Sequence, residues 1–324
     1  MQLAEMDLYD PEIYAERVPH EEFAVLRREA PVYWHREADG PGFWALTKYE
    51  DIVTVSQDSQ TFSSYRGGTN IDDVREDALA MIRTLMLNMD PPKHTVYRRL
   101  VATGFTPAMI RKMEPHVREV TARVIDSIAQ KGECDFVTEV AAELPLQVIA
   151  AILGVPHDER HLMFEWSNRL IGFDDPEFTT SPEDGRQAAA ELLMYGHQLA
   201  GKRRQEPQDD LITTLLRAEI DGQALSEAEF DAFFMLLVVA GNETTRNGIS
   251  GAMRAFMEHP DQRQRLIDDP SMIPIAVEEM LRWVSPVMHF RRTATRDAEI
   301  RGQKVREGDK VMIYYISANR DEDI

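Results

Sequence analysis

The longest uninterrupted helical pattern in this chain constrains its fold more than any other feature. Ser226 followed by Glu229 forms a capping box, and the next strong stop is Pro260, so the spacing predicts one helix over residues 227–259. At 1.5 Å per residue this helix would be roughly 50 Å long, enough to cross a whole domain. Its first half contains the run FFMLLVVA, which is apolar on all sides and predicts a segment surrounded by protein.

The same helix is interrupted by AGNETTRN, residues 240–247, where it should be most apolar. A glycine inside a helix costs about 1 kcal/mol relative to alanine, and an unpaired buried carboxylate costs more. One interpretation is packing: Ala240 and Gly241 let another helix approach, while Glu243 and the threonines bond to neighbours. The other is functional: the small residues leave room for a flat cofactor or a small gas molecule, and Glu243 and Thr244 form a proton relay. Because adjacent side chains do not share a helix face, the relay predicts a locally widened helix, with Thr244 bonded to the carbonyl of Ala240.

The rest of the pattern predicts a mainly α protein with small β-sheets, an α+β fold in a single domain over residues 1–324. Helical spacing covers residues 20–30 and most of 93–285, with breaks at Gly132, Gly154 and the stretch DDPEFTTSPEDG. The segments PVYWH and GFWALT predict a small antiparallel sheet near the N-terminus. After Pro286, the segments HFRRTATRD, EIRGQKV and KVMIYYISA predict short strands.

Two pairs of charged side chains lie far from the long helix in sequence. His94 and Arg98 are four residues apart after a Pro-Pro helix start, in NMDPPKHTVYRRL, and together could clamp an anionic group. Glu279 and Arg282, in EEMLRW, are three residues apart and share a helix face. Each pair is also typical of a solvated helix surface, where an ion pair contributes about 0 to 1 kcal/mol.

Charge and cysteine content exclude several classes of function. The formal charge is −20, from 56 acidic and 36 basic residues, which argues against a nucleic-acid partner. The single cysteine, Cys134, excludes a disulfide framework and a cysteine-rich zinc site. Neither a signal peptide nor an apolar run long enough to span a membrane is visible. These patterns predict a soluble, cytoplasmic protein with no integral membrane segment.

Five segments, taken in order and approximate separation, resemble one family. HTVYR, AGNETT, EMLR, HFRRTATRD and SANRDED are similar to the motifs of the soluble bacterial cytochrome P-450 monooxygenases, and the resemblance covers essentially the whole chain. It implies that Glu243 and Thr244 are the acid and alcohol that deliver protons during dioxygen activation. It also implies that Ala240 and Gly241 make room for dioxygen, with Thr244 beside the haem.

The resemblance assigns roles to the remaining charged residues. The haem propionates would be bound by three basic residues: His94, Arg98 and Arg292. The spacing to Asp297 in RRTATRD favours Arg292, and Arg291 is its competitor. Glu279 and Arg282 match the family's buried structural pair, which supports the haem-binding core and is not catalytic.

The family's iron ligand is a cysteine thiolate in a glycine-rich loop near the C-terminus, and its donation favours cleavage of the O–O bond. No such loop surrounds Cys134, in KGECDFV, which we interpret as a semi-buried structural thiol. The expectation is therefore a C-terminally truncated chain that lacks the haem-thiolate segment, is inactive alone and contains no metal ligand.

The function implied for the intact parent is haem-dependent hydroxylation of a hydrophobic substrate with dioxygen. VVAGNETTRN, NMDPPKHT and GFTP are most similar to the branch that hydroxylates steroids and branched lipids, which favours a steroid side chain, a terpenoid or a branched lipid. Core packing is the competing explanation for every residue that the resemblance places in an apolar, adaptable pocket. These residues are Met86, Met89, Leu170, Phe173, Phe234, Leu237, Val238, Val287, Met288 and Phe290.

Electrons would come from separate proteins, because the sequence contains no flavin motif and no dinucleotide-binding loop. The resemblance implies haem b as cofactor, a ferredoxin with its NAD(P)H-dependent ferredoxin reductase as partners, and a monomer. The alternative is a non-catalytic helical protein that binds lipid or haem, or a pseudoenzyme of the same fold.

Overall fold

The computed structural model describes residues 3, 6–38, 40–156, 158–171, 181–220 and 223–324. Backbone contacts divide the chain into two compact units. The sheet unit comprises Met1–Arg83, Leu87–Pro91 and Arg263–Ile324, and the helical unit comprises Thr84–Met86 and Pro92–Gln262. The predicted fold class is confirmed, since the protein is mainly α with small β-sheets.

The helices agree with the predicted pattern over most of the chain. The helix predicted over residues 20–30 is α2, Pro91 and Pro92 precede α5, and the capping box opens α11. Residues 174–180 of the predicted break lie outside the described residues. In chain order the helices are α1 (Pro11–Glu16), α2 (His20–Glu29), α3 (Tyr49–Gln57), α4 (Glu76–Ile82), α5 (Lys93–Ala102), α6 (Pro107–Ala129), α7 (Glu143–Leu153), α8 (Arg160–Ile171), α9 (Pro182–Gln205), α10 (Leu211–Leu216), α11 (Glu227–Glu258), α12 (Pro260–Asp268), α13 (Ile273–Val284) and α14 (Tyr315–Ala318).

The strands form one larger sheet and two short hairpins. They are β1 (Val32–His35), β2 (Phe43–Leu46), β3 (Phe62–Ser63), β4 (Glu219–Ile220), β5 (Gln223–Ala224), β6 (His289–Ala294), β7 (Ala298–Ile300), β8 (Gln303–Val305) and β9 (Lys310–Tyr314). The larger sheet has the order β1-β2-β9-β6-β3, and only the β2–β9 pairing is parallel. The predicted antiparallel pair β1–β2 is confirmed, but it belongs to a mixed sheet because β9 adds alongside β2.

The sheet unit is built around β9, which lies between β2 and β6. All five of its residues are buried. Val311 and Ile313 enter one hydrophobic cluster, and Met312 and Tyr314 enter another. Because alternate residues of a strand face opposite sides, β9 serves the cores on both faces of the sheet.

The strand predicted over KVMIYYISA is wrong in its second half. β9 ends at Tyr314, and α14 follows at once. The Ser317 hydroxyl donates to the carbonyl of Thr47 at 2.9 Å, and Arg27 donates to both the hydroxyl and the carbonyl of Ser317. These contacts with distant residues favour a helical turn over the local β preference.

The N-terminus of α11 is capped as predicted. Ser226 Oγ accepts from the backbone N–H of Glu229 at 3.3 Å, and the Glu229 carboxylate accepts from the N–H of Ser226 at 2.9 Å. Phe230, Phe233 and Phe234 are buried, because α7, α8 and α9 pack on this helix. The first half of α11 is thus buried along its phenylalanine side, but the predicted enclosure on all sides is wrong, because Leu236, Leu237 and Val239 are only partly buried.

Candidate active site

Glu243 and Thr244 lie near the middle of α11, and the helix runs through them without a break. Helical structure is continuous from Glu227 to Glu258, and the Thr244 hydroxyl donates to the carbonyl of Ala240 at 2.9 Å. The hydrogen bond predicted for Thr244 is therefore confirmed, whereas the predicted widening of the helix is wrong. A threonine can bond to the carbonyl four residues earlier within a nearly regular helix, so this bond does not require a wide turn.

Glu243 is a buried acid with only one carboxylate oxygen paired. The residue is 8% exposed. Its Oε2 accepts a short hydrogen bond from Arg246, one turn along α11, while Oε1 is buried and has no partner among the described residues. Burial raises the pKa of Glu243, and the Arg246 guanidinium opposes that rise without cancelling it. Glu243 therefore holds a proton more readily than an exposed glutamate does.

Residues next to Glu243 connect α11 to α8, and the sequence did not reveal this connection. Arg246 Nη1 donates to Asn168 Oδ1 at 3.1 Å, and Asn242 Nδ2 donates to Ser167 Oγ at 2.8 Å. The Oδ1 atom of Asn242 is buried and has no partner in the described part of the chain. An asparagine in an apolar helix segment signals a polar partner, but its position in sequence does not say which residue that is.

The two small residues before Glu243 have different surroundings. A Cβ on Gly241 would lie 3.0 Å from Cδ1 of Ile149, so its missing side chain accommodates α7. Ala240 is exposed. The contact with Ile149 supports the packing interpretation for Gly241, and its predicted place beside the haem and dioxygen stays a prediction. Ala240 is the small residue on an open side of α11.

α5 carries His94 and Arg98 and is held against the start of α11 by Tyr97. The Tyr97 hydroxyl donates to Glu229, and its ring stacks on Phe233 with centroids 5.4 Å apart. His94 is half-buried, whereas Arg98 is exposed and makes no hydrogen bond or ion pair with any described residue. Arg98 is thus available to an anionic ligand, and Tyr97 is a positioning residue that the sequence motifs did not mark.

The structure distinguishes Arg292 from its competitor Arg291. Arg291 is buried, and its guanidinium pairs with Asp73 at 2.7 Å. Arg292 points to the opposite face of β6, is partly exposed and donates to the carbonyl of Arg291 at 2.8 Å. Arg291 already has a carboxylate partner, so Arg292 is the arginine that can bind a ligand.

The residues predicted to line a substrate pocket are largely core residues of their own units. Met89, Phe234 and Val238 are buried, and Met288 and Phe290 pack against the two clusters that flank the sheet. Six are partly exposed and can contact a ligand: Met86, Leu170, Leu237, Val287, Met288 and Phe290. Phe173 lies outside the described residues.

Glu279 and Arg282 form the predicted ion pair, but the pair is not buried. Arg282 Nε and Nη2 donate to different Glu279 oxygens, each at 2.7 Å, and the Glu279 and Arg282 side chains are 58% and 41% exposed. The buried pair implied by the resemblance is therefore corrected, because α13 has no buried residue. Arg282 also donates to the carbonyl of Asn319, which connects α13 to the SANRDED segment.

The interpretation of Cys134 as a semi-buried thiol is also wrong. Cys134 is exposed. It lies in the loop between α6 and the π-helical turn Val137–Ala141, shortly after Gly132, whose φ of 80° turns the chain away from α6. An exposed loop position offers no apolar surroundings for the sulfur.

Known proteins similar to this chain identify its family. The family model described as Cytochrome P-450 matches residues 195–324. A steroid C26-monooxygenase of Rhodococcus jostii is 42% identical, with 98% of this chain and 68% of the relative covered. A linalool 8-monooxygenase of Pseudomonas putida is 40% identical, with 98% of this chain and 80% of the relative covered. A Mycobacterium marinum cytochrome P-450 solved in complex with pseudoionone has a TM-score of 0.90 at 36% identity, with 98% of this chain and 80% of that chain covered. The chain belongs to the cytochrome P-450 family.

The predicted family, its fold and its enzyme class, monooxygenase, are thereby confirmed. Cytochrome P-450 enzymes carry out haem- and dioxygen-dependent chemistry, and the relatives act on hydrophobic substrates with redox partners. In the described ranges of this chain, no helix is long and apolar enough to cross a bilayer.

Two arginines of this P-450 chain, one in each unit, are chemically suited to bind a haem propionate. Arg98 in the helical unit and Arg292 in the sheet unit have no carboxylate partner among the described residues, and guanidinium groups are well suited to bind propionates. The only thiol of the sequence is Cys134, which is exposed on its loop. Each arginine can therefore bind a propionate from its own unit, and Cys134 is not placed in an apolar pocket.

Proposed function

We propose that this protein is a haem-dependent monooxygenase chain that binds haem b and hydroxylates a hydrophobic substrate: a steroid side chain, a terpenoid or a branched lipid. The names of the steroid C26- and linalool 8-monooxygenases support this substrate class. The observation that carries the proposal is Glu243, an acid kept buried in the middle of α11 with one oxygen unpaired and a hydroxyl on the next residue. A buried acid lowers stability, so its presence favours a chemical role.

The side chains around Glu243 have distinct tasks in this proposal. Bound haem supplies the chemistry that activates dioxygen. Glu243 holds a proton at Oε1, and Arg246, itself oriented by Asn168, donates to the other oxygen. The Thr244 hydroxyl oxygen is open to a further hydrogen bond. Side chains of adjacent helix residues point about 100° apart, so a water molecule is needed to connect Oε1 with the Thr244 hydroxyl.

Electrons are proposed to come from a ferredoxin and an NAD(P)H-dependent ferredoxin reductase. The support is that relatives in the family use redox partners. Hydroxylation is proposed only for a haem-bound form of the protein whose iron is ligated by a cysteine thiolate. Cys134 is not proposed as that ligand. The single domain over residues 1–324 and the monomer remain predictions.

Replacing Arg98 with alanine is expected to weaken haem binding about tenfold, or ~1.4 kcal/mol, because one charge-assisted hydrogen bond to a propionate is lost. Haem titration followed by the Soret absorption measures the affinity. Arg99→Ala is the matched control, since Arg99 is the next residue, is also exposed and points to a different side of α5. Equal affinities of the wild type and Arg98→Ala would show that Arg98 does not bind a propionate.

Haem reconstituted into residues 1–324 is expected to lack the thiolate-type absorption band of its ferrous carbon monoxide complex. The reason is that Cys134 is the only thiol and lies on an exposed loop. Cys134→Ser is the control: a band in the wild type that disappears in this variant would identify Cys134 as a ligand and contradict our assignment. A bound haem without the band is also what the alternative, a non-catalytic haem-binding protein, would show. Product formation by the thiolate-ligated form would favour the monooxygenase over this non-catalytic alternative.

A further inference from the structure

Four charged side chains meet inside the sheet unit, on segments far apart in sequence. Lys310 Nζ lies 2.6 Å from Glu37 Oε1 and 3.2 Å from Asp73 Oδ2, and Arg291 Nη1 lies 2.7 Å from Asp73 Oδ1. The two cations and Glu37 are almost fully buried, whereas the Asp73 side chain is 55% exposed. Asp73 is therefore the member that joins a surface segment to a buried cluster.

The charges in this cluster balance only when Asp73 is present. Arg291 and Lys310 bring two positive charges into the interior, and Glu37 neutralises one of them. Burial alone would raise the pKa of Asp73, but Arg291 and Lys310 together hold it below its usual range. Asp73 thus stays ionised at neutral pH and is attracted to both cations.

Arg291 also holds the backbone of the segment that contains Asp73. Its Nη1 lies within hydrogen-bond distance of the carbonyls of Ile71, at 3.4 Å, and Asp72, at 3.3 Å, and its backbone N–H donates to the carbonyl of Thr69 at 2.8 Å. A Cβ on Gly67 would lie 2.5 Å from Arg291 Nη2, so glycine is required for this close approach. Residues 67–73 are therefore bonded to β6 although they form no strand.

A second set of contacts connects this segment to Met89. The Thr69 hydroxyl donates to Asn88 Oδ1 at 3.0 Å, and Asn88 Nδ2 donates to the carbonyl of Ile82 at 3.1 Å. Thr69, Asn88 and Met89 are all buried. Asn88, the residue before Met89, is thus bonded to Thr69, and Thr69 in turn accepts the backbone N–H of Arg291.

We propose that Asp73 is a positioning residue for the substrate pocket. Its ion pairs with Arg291 and Lys310 fix residues 67–73 on the sheet and, through Thr69 and Asn88, fix Met89. Met89 is buried, and its predicted place beside the substrate rests on the proposed function, whereas the attachment of residues 67–73 does not. When Asp73 is neutral, the segment detaches more often and the pocket discriminates less between wide and narrow apolar ligands.

Hydrogen exchange of the full chain tests the attachment. The Arg291 amide is the reporter, because it donates to Thr69 and not to another strand. In Asp73→Asn it is expected to exchange at least tenfold faster, while the β9 amides are unchanged. Asp73→Glu keeps the charge and should retain protection. Asp77→Asn is the matched control, because Asp77 pairs with Arg75 at 3.1 Å on the surface, where both side chains are well exposed.

Two outcomes would overturn the attachment. Unchanged exchange of the Arg291 amide in Asp73→Asn would show that Asp73 does not hold the segment. Equal acceleration of the Arg291 and β9 amides would show that Asp73 only supports global stability.

Tryptophan fluorescence titrations with testosterone and with hexadecanoic acid test the pocket role. Asp73→Asn is expected to change the ratio of the two Kd values at least threefold, whereas Asp73→Glu and Asp77→Asn leave the ratio unchanged. An unchanged ratio, with faster exchange at Arg291, would refute the positioning role. If neither probe binds the wild type, the pocket assignment in the proposed function fails, and the exchange result still decides whether Asp73 holds the segment.

Discussion

Replacing Glu243 with glutamine should make the fold more stable at pH 7 while slowing hydroxylation about 100-fold in the thiolate-ligated, haem-loaded protein. Loss of a positioned proton donor typically costs that much. The stability gain follows from the raised pKa of Glu243, which means that the folded state favours the neutral form. Urea unfolding of residues 1–324 measures the stability, and product formation from a steroid or branched-lipid substrate measures the rate.

The pH dependence of this gain has a defined sign. The pKa of Glu243 lies above its ordinary value of 4.5 in the folded state. Ionised Glu243 therefore destabilises the fold above its folded pKa, and this cost disappears as the pH falls below 4.5. The difference in unfolding free energy between Glu243→Gln and the wild type should be largest at pH 7 and vanish near pH 4. A variant clearly less stable than the wild type at pH 7 would show that pairing with Arg246 outweighs burial.

Replacing Arg246 with methionine should lower the free energy of unfolding by about 3 kcal/mol at pH 7, because it leaves the buried Glu243 carboxylate without its cation. The loss should shrink as the pH falls toward 5, since a protonated Glu243 needs no partner. Urea unfolding at several pH values measures both effects.

A double variant and a surface control separate this effect from lost packing. In Glu243→Gln combined with Arg246→Met, no buried charge remains, so most of the lost stability should return. Arg254→Met removes an arginine from the same helix whose partner, Glu258, is four residues away and exposed, and it should change stability by less than about 0.5 kcal/mol. If the double variant is no more stable than Arg246→Met, the arginine acts through packing and the charge argument is wrong.

The substitutions of Glu243 and Arg246 test two opposing contributions to stability at the buried carboxylate. Arg246, which also donates to Asn168, binds one oxygen of Glu243, and this ion pair limits the cost of burying the acid. The other oxygen has no partner among the residues that the structure describes, and this keeps part of that cost. We infer that the remaining cost is what allows the carboxyl group to hold and release a proton in the proposed reaction.

Local features of the sequence were enough to predict the positions of α11, β1 and β2. The capping box at Ser226 and the stop at Pro260 fixed α11 to within one residue at its C-terminus, because capping and proline act over only a few residues. The alternation in PVYWH and GFWALT predicted β1 and β2 for the same reason. The ordered motifs identified the family, and the identity to its relatives extends along almost the whole chain.

Which residues face one another was decided by the tertiary structure. The sequence left open whether Gly241 serves a cofactor or a helix, and the contact with Ile149 supports the helix. It left Arg291 and Arg292 as competitors, and Asp73, more than 200 residues earlier, engaged the first of them. Nothing in AGNETTRN indicated that α8 would supply Asn168 to Arg246. Helix and strand patterns are short-range properties of the chain, whereas partners of buried charges depend on which distant segments pack together.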